Sequence, residues 1–157
     1  MLKNLLLLAA LLLPAERALA QDASQSGLTI NQPWSMALPP NAPTVAAYFV
    51  IDNTRGSADR LTRVDSPVAG MAQLHEHISS NGLMKMHQVD SVNVPANARV
   101  TFAPMAYHVM LLDLKDRSLL MDGQTFPLTL HFAKAGDVTV HVKVQRQPPE
   151  ASATHVN

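Results

Sequence analysis

Histidine and methionine are concentrated in two segments of the chain, residues 74–89 and residues 107–110. Within each segment they recur at spacings of two, which a β-strand turns to one face. The residues so placed are His75, His77, Met84, Met86, His108 and Met110. Imidazole and thioether are neutral ligands, and thioether sulfur favours Cu(I) over harder ions. The chemistry that these residue types favour is therefore the binding of Cu(I) without a thiol.

The dipeptide Asn81-Gly82 lies between two strand-like runs and is a strong signal for a two-residue hairpin turn. Counting outward from a type I′ turn gives the opposed pairs Ser80–Leu83, Ser79–Met84, His77–Met86 and His75–Gln88. Directly opposed residues share a face, so one face of the hairpin would present two histidines and two methionines. The prediction depends on the turn length, because one extra loop residue would reverse the face of part of this set.

The composition of the 157-residue chain excludes several classes of function. The chain has no cysteine beside eight methionines and seven histidines. This rules out disulfides, zinc-thiolate sites, iron–sulfur clusters and a thiolate-ligated blue-copper centre. Twelve basic side chains balance twelve acidic ones, so no basic surplus favours a nucleic-acid partner. No phosphate-binding loop, nucleophilic triad or carboxylate pair indicates an enzyme.

The N-terminal segment has the features of a secretory signal peptide, predicted over residues 1–20. Lys3 provides a positive charge, residues 5–13 form an apolar run, and the Ala-Leu-Ala sequence ending at Ala20 fits the cleavage rule. The run is shorter than the span of about 20 apolar residues that crosses a bilayer. We expect a mature chain that begins at Gln21, has no membrane span or cysteine-linked lipid, and resides in the periplasm of a Gram-negative host.

Alternating apolar and polar residues predict one all-β domain over residues 21–146. Valines at every second position from 138 to 144, and apolar residues at 128, 130 and 132, have the period of half-buried strands. Further strands are predicted at 46–52, 99–102 and 107–114. Turn signals at roughly even spacing favour an antiparallel sandwich or barrel, and no stretch has helical periodicity. Residues 147–157 contain two prolines and small polar side chains, which predicts a flexible tail.

The spacing of the histidines and methionines resembles that of a known family, the periplasmic copper chaperones called PCu(A)C. The family motif is a His, ten residues, a Met, twenty-one residues and then His-x-Met. His75, Met86, His108 and Met110 stand at these positions. The similarity covers about residues 28–145 and includes the segments Pro33-Trp34, 46–49, 107–111 and 127–130.

The resemblance implies a cupredoxin-like antiparallel β-sandwich or Greek-key barrel that binds one Cu(I) ion. It assigns the metal to His75, Met86, His108 and Met110. It also implies delivery of copper towards the binuclear copper centre of cytochrome c oxidase, with an oxidase subunit as acceptor and other copper-assembly proteins as further partners. We expect a monomer that releases copper by ligand exchange and is not an enzyme.

Two departures from the family pattern alter the expected site. His77 stands where many members have methionine, so it is an alternative ligand or a group that helps to hold Cu(II). Met105-Ala106 replaces a pair of glycines that is common in the family, which adds a thioether near the site or changes the turn. Met84 is either an accessory ligand or a residue that packs against the site.

The other histidines are expected outside the ligand face: His87, His131, His141 and the tail residue His155. Trp34, the one tryptophan, is expected to anchor the core. Two other functions stay open at this stage. The same site could store copper or confer resistance to it, or the chain could be a β-sandwich interaction domain in which histidine and methionine bind no metal.

Overall fold

The computed structural model describes residues 23–25 and 27–150. The strands in these residues are β1 Ala23–Gln25, β2 Leu28–Met36, β3 Val45–Asn53, β4 Asp59–Asp65, β5 Ala69–Ser80, β6 Leu83–Val89, β7 Val92–Val94, β8 Ala98–Phe102, β9 His108–Leu114, β10 Thr125–Phe132 and β11 Gly136–Gln145. A 3₁₀ turn, Ser118–Leu120, separates β9 from β10. The predicted signal peptide and residues 151–157 of the predicted tail lie outside the described residues.

The strands form one mostly antiparallel sheet in the order β6-β5-β9-β3-β2-β11-β10-β4-β7, with β1 added to β2 and β8 to β3. The β11–β2 pair is parallel and places Lys143 opposite Trp34. The architecture is an antiparallel, cupredoxin-like β-sandwich, as predicted. Among the described residues, no helix has the length and apolar character needed to cross a membrane.

Alternation along the strands builds the core. In β11 the four valines are buried, and the polar residues between them face solvent. On the outer surface, the hydroxyls of Thr129 and Thr139 are hydrogen-bonded at 2.9 Å. Inside, the rings of Phe49 and Phe102 stack with centroids 4.3 Å apart. Each fully buried side chain of this size contributes about 1.5–3 kcal/mol to stability, so the core holds the outer face of the sheet in a fixed arrangement.

The sequence pattern does not predict β4, because the buried residues of this strand do not alternate regularly. Leu61 and Val64 are buried three positions apart. The reason is a register shift in the pairing of β4 with β10, between His131 and Phe132. An irregularity of this kind re-aims side chains and removes the period-two signal.

A buried carboxylate ties β4 to the turn between β10 and β11. The Asp59 side chain accepts hydrogen bonds from the backbone N–H groups of Arg60 at 2.7 Å, Lys134 at 2.9 Å and Ala135 at 2.9 Å. Burial by itself would raise the pKa of Asp59, but these donors, with the charge of Arg55, hold that pKa below its usual value. The ionised form of Asp59 therefore stabilises this end of the sheet.

Candidate metal centre

The β5–β6 hairpin has the register that its turn predicts. Asn81 and Gly82 have positive φ angles of 52° and 75°, as a type I′ turn requires. The opposed pairs are Ser80–Leu83, Ser79–Met84, His77–Met86 and His75–Gln88. The predicted register is confirmed, and one face of the hairpin carries both histidines and both methionines.

Strand β9 brings the second histidine–methionine segment to the first. β9 lies next to β5 in the sheet, antiparallel to it. His108 is opposite His75, and Met110 is opposite Gln73. Because opposed residues share a face, three neighbouring strands present all six predicted residues on one side of the sheet.

His108 lies at the centre of the assembled group. Its Nε2 atom is 3.2 Å from Sδ of Met86, and its ring centroid lies 5.5 Å from that of His75 and 5.0 Å from that of His77. Met84 lies two residue pairs beyond this group, opposite Ser79. The structure thus brings three imidazoles and one thioether into close proximity and places the other two thioethers on the same face.

Burial separates the imidazoles from the sulfur atoms. His108 is 2% exposed and His75 is 9% exposed, whereas Met86 is 48% exposed and Met84 is 47% exposed. The Nδ1 atoms of His75 and His77 are buried and have no hydrogen-bond partner. An unpaired buried nitrogen costs free energy and calls for an explanation, such as a bound ion. His75 and His108 therefore form the floor of the site, Met84 and Met86 form its rim, and His77 and Met110 are of intermediate exposure.

The loop before β9 fixes the orientation of His108. The carbonyl oxygen of Ala106 accepts hydrogen bonds from Nδ1 of His108 at 3.2 Å and from the backbone N–H of His77 at 3.3 Å. A neutral imidazole carries one ring proton, so a proton on Nδ1 leaves the lone pair on Nε2, which faces Met86. The contribution of Ala106 comes from its backbone, which is why no residue type in the sequence signals it.

Met105 lies at the tip of the same loop in a left-handed conformation, with φ of 66°, and its side chain is 58% exposed. A residue other than glycine is uncommon at such an angle. The loop around Met105 is closed by hydrogen bonds from the Ala106 N–H to the Ala103 carbonyl at 3.1 Å and from the Ala103 N–H to the Tyr107 carbonyl at 2.9 Å. Both expectations for this dipeptide, an added thioether near the site or a changed turn, stay predictions.

The electrostatic environment favours neutral imidazoles. Burial lowers the pKa of His75, and the nearby His77 lowers it further. Burial also lowers the pKa of His108, although the hydrogen bond to Ala106 acts in the opposite direction. A neutral imidazole is the form that binds a metal, so both histidines are available as ligands at neutral pH.

A pair of packed aromatic side chains lies next to His108. The rings of Trp34 and Tyr48 have centroids 4.7 Å apart, and Tyr48 lies 6.4 Å from His108. Trp34 is 3% exposed, which confirms its expected burial. Burial raises the pKa of Tyr48, so its hydroxyl stays protonated and adds no negative charge beside His108.

The remaining described histidines lie away from the ligand face. His87 is exposed opposite Glu76, and His141 is exposed on β11. His131 lies on the outer surface of β10, with Nε2 2.6 Å from Asp65 and Nδ1 2.6 Å from Asp137. Both of its nitrogen atoms are occupied by hydrogen bonds to carboxylates, so His131 has a structural role in cross-linking three strands.

The donor atoms that the structure brings together include sulfur. Among residues 23–25 and 27–150, no group of three or more His, Cys, Asp or Glu side chains is placed to hold a metal ion. Histidines alone therefore do not form a preassembled site for a hard cation. The contact of His108 with Met86 and the unpartnered nitrogen of His75 suit a soft ion that accepts both imidazole and thioether.

Comparison with known proteins gives relatives over nearly the whole described domain. The family model described as "Putative lipoprotein LpqE-like" matches residues 28–144. "Uncharacterized protein RP573" of Rickettsia prowazekii is 32% identical over 139 residues, which cover 88% of this chain and 72% of that protein.

Solved structures of similar fold are PCuAC domains. The "Copper-bound PCuAC domain from PmoF2" has a TM-score of 0.67 and 27% identity, covering 81% of this chain and 99% of that one. The "Solution structure of CuI-DR1885 from Deinococcus Radiodurans" has a TM-score of 0.62 and 26% identity, covering 85% and 86%. The chain belongs to the LpqE-like family, and its structural neighbours are PCuAC domains.

Proposed function

We propose that this protein is a copper carrier of the cell envelope, which binds one Cu(I) ion through His75, Met86, His108 and Met110. The observation that carries the proposal is the 3.2 Å approach of His108 Nε2 to Met86 Sδ, since both are donors that suit Cu(I). The copper-bound PmoF2 and DR1885 domains support the same cargo for this chain. The lipoprotein description of the family supports a place in the cell envelope.

The difference in exposure between Met86 and the buried imidazoles of His75 and His108 supports release by ligand exchange. An acceptor that approaches from solvent meets Met86 first, because half of that side chain is exposed. A ligand of the acceptor replaces the thioether, and the imidazoles then release the ion in turn. Copper stays in the Cu(I) state throughout and no substrate bond changes, so the protein acts as a carrier and not as an enzyme.

The proposed destination is the binuclear copper centre of cytochrome c oxidase, reached in the periplasm by a monomeric carrier. The match of the four ligand positions to the PCu(A)C spacing supports this destination. A secondary Cu(II) state is proposed through His77, whose ring lies 5.0 Å from that of His108 and whose Nδ1 atom is unpartnered. Met84 is an accessory thioether at the rim.

Competition with a chromogenic Cu(I) chelator tests the site. The mature protein is expected to bind one Cu(I) per chain. A Met86→Leu, Met110→Leu double variant preserves side-chain volume and should lose most of that affinity. Met121→Leu is the matched control, because Met121 is equally exposed and lies after the 3₁₀ turn, outside the site. Equal affinities for the parent and the double variant would overturn the ligand assignment.

Copper transfer distinguishes a carrier from a storage protein. Cu(I)-loaded protein is mixed with the metal-free soluble copper domain of an oxidase subunit, the two are separated, and the copper in each is measured. A carrier is expected to give up its copper within the time of mixing. Retention of copper against an acceptor of higher affinity would favour storage, and no copper in the parent at the outset would favour a metal-free interaction domain.

A further inference from the structure

Gln73 lies between two of the proposed ligands. It precedes His75 by two residues on β5, so it shares the same face, and it lies directly opposite Met110. Its Oε1 atom is 3.0 Å from Nε2 of His75, and its Nε2 atom donates to Sδ of Met71 at 3.2 Å. Gln73 therefore links an exposed methionine to a buried histidine.

The contact with Met71 fixes the orientation of the Gln73 amide. A thioether has no proton and can only accept a hydrogen bond, so the amide NH₂ group must face Met71. The carbonyl oxygen of Gln73 then faces His75 and can only accept in turn. The ring atom at 3.0 Å from it, Nε2 of His75, must carry the proton.

This chain of hydrogen bonds also fixes the position of the His75 lone pair. A neutral imidazole with its proton on Nε2 has its lone pair on Nδ1. That Nδ1 atom is the buried nitrogen without a partner. His108 has the opposite arrangement, because the Ala106 carbonyl accepts from its Nδ1 and leaves Nε2 facing Met86.

We infer that Gln73 is a positioning residue that holds His75 in the Nε2–H form, so that His75 binds the metal through Nδ1 while His108 binds it through Nε2. The choice of coordinating atoms rests on the proposed copper function. The tautomer itself is a property of the metal-free protein. Groups that donate or accept at the second nitrogen of a ligand histidine set its orientation and basicity, and Gln73 fills that place for His75.

The tautomers are measured in the metal-free mature protein with ¹⁵N-labelled histidine. Two-bond ¹H–¹⁵N correlation spectra at about pH 8 separate the two forms, since the imidazoles are neutral well above a pKa of about 6.5. We expect His75 as the Nε2–H form and His108 as the Nδ1–H form. A parent protein in which His75 carries its proton on Nδ1 would overturn the inference.

Substitutions at two glutamines isolate the role of Gln73. Gln73→Leu removes the acceptor and should shift His75 to a mixture of tautomers, whereas Gln73→Glu keeps an acceptor and should retain the Nε2–H form. Gln88→Leu is the matched control, because Gln88 lies opposite His75 on the other neighbouring strand. An unchanged His75 signal in Gln73→Leu would contradict the positioning role, as would an equal change in Gln88→Leu.

Addition of Cu(I) to the labelled protein tests the coordinating atoms. The ¹⁵N resonances of His75 Nδ1 and His108 Nε2 are expected to shift, and Gln73→Leu should weaken Cu(I) binding about 10- to 100-fold. A shift of His75 Nε2 instead would refute this inference while leaving the proposed function intact. No Cu(I) binding by the parent would refute the proposed function, and the tautomer measurement would still stand.

Discussion

Two outer surfaces of the sheet hold histidines in opposite ways. On β5, β6 and β9, the imidazoles of His75 and His108 are hydrogen-bonded to neutral groups, and His75 has a buried nitrogen without a partner. On β4, β10 and β11, His131 has a carboxylate on each nitrogen, Asp65 and Asp137. The first surface keeps donor atoms free for a ligand, and the second uses them for stability. Neighbouring side chains, more than the presence of histidine, decide which surface leaves donor atoms free.

Replacing the central histidine of each surface should give the largest contrast. His108→Ala removes a proposed ligand and should weaken Cu(I) binding by more than about 100-fold, since loss of a residue that only supports a ligand already costs about 10- to 100-fold. His131→Ala should leave the affinity unchanged. Chelator competition measures both. A large loss in His131→Ala would remove the proposed separation of the two surfaces.

Within the β4, β10 and β11 region, stability should depend more on the buried carboxylate of Asp59 than on the exposed ion pair of Asp65. Asp59→Ala leaves three backbone N–H groups near β4 without their acceptor and should lower the free energy of unfolding by about 3 kcal/mol. Asp65→Asn, at an exposed ion pair, should cost less than about 1 kcal/mol. Urea denaturation of the metal-free variants measures these values. If both variants lost the same amount, the special role of the buried carboxylate would be ruled out.

Acid should weaken Cu(I) binding and the contribution of Asp59 to stability in different pH ranges. The pKa values of His75 and His108 are lowered by burial, so Cu(I) affinity should stay nearly constant down to about pH 6.5 and fall as the pH decreases further and protons compete with copper. A loss of affinity that begins above pH 7 would contradict these pKa directions.

The pKa of Asp59 is also lowered in the folded state, and the consequence for stability has a definite sign. Its contribution is fully present above the pKa of the unfolded carboxyl, about 3.9. It is lost as the pH falls through the lower folded-state value. Acid titration of the parent and of Asp59→Asn, followed by circular dichroism, should show this difference below about pH 4.

Two glycines offer the smallest and most closely matched test. Gly82 in the turn of the β5–β6 hairpin and Gly136 at the start of β11 have φ angles of 75° and 79°. A Cβ atom added at either position meets nothing within 4 Å. Alanine at each should cost about 1 kcal/mol of stability through backbone strain alone. Only Gly82→Ala should alter Cu(I) release, measured by stopped-flow transfer to a chelator. Equal release rates in both variants would show that the turn does not position the ligands.

Sequence reasoning predicts the hairpin well because the information is local. Asn81-Gly82 determines the turn type, and the turn type determines which residues are opposed over the whole of β5 and β6. The sequence pattern predicts that β9 begins at Tyr107. The strand begins at His108, because Tyr107 instead forms an isolated bridge to Phe102. The pattern does not predict β4, where the register shift between the Arg63–His131 and Leu61–Phe132 pairs removes regular alternation.

The sequence by itself determined the residue types, the alternation that turns His75 and Met86 to one face, and the absence of any thiol. Only the tertiary structure decided that β9 pairs with β5, that His75 and His108 are buried, and that Gln73 and the Ala106 carbonyl set their orientation. The physical reason is the separation along the chain over which each interaction acts. Turn geometry and strand period act over a few residues, whereas desolvation and hydrogen bonding between distant segments exist only after the sheet has closed around its core.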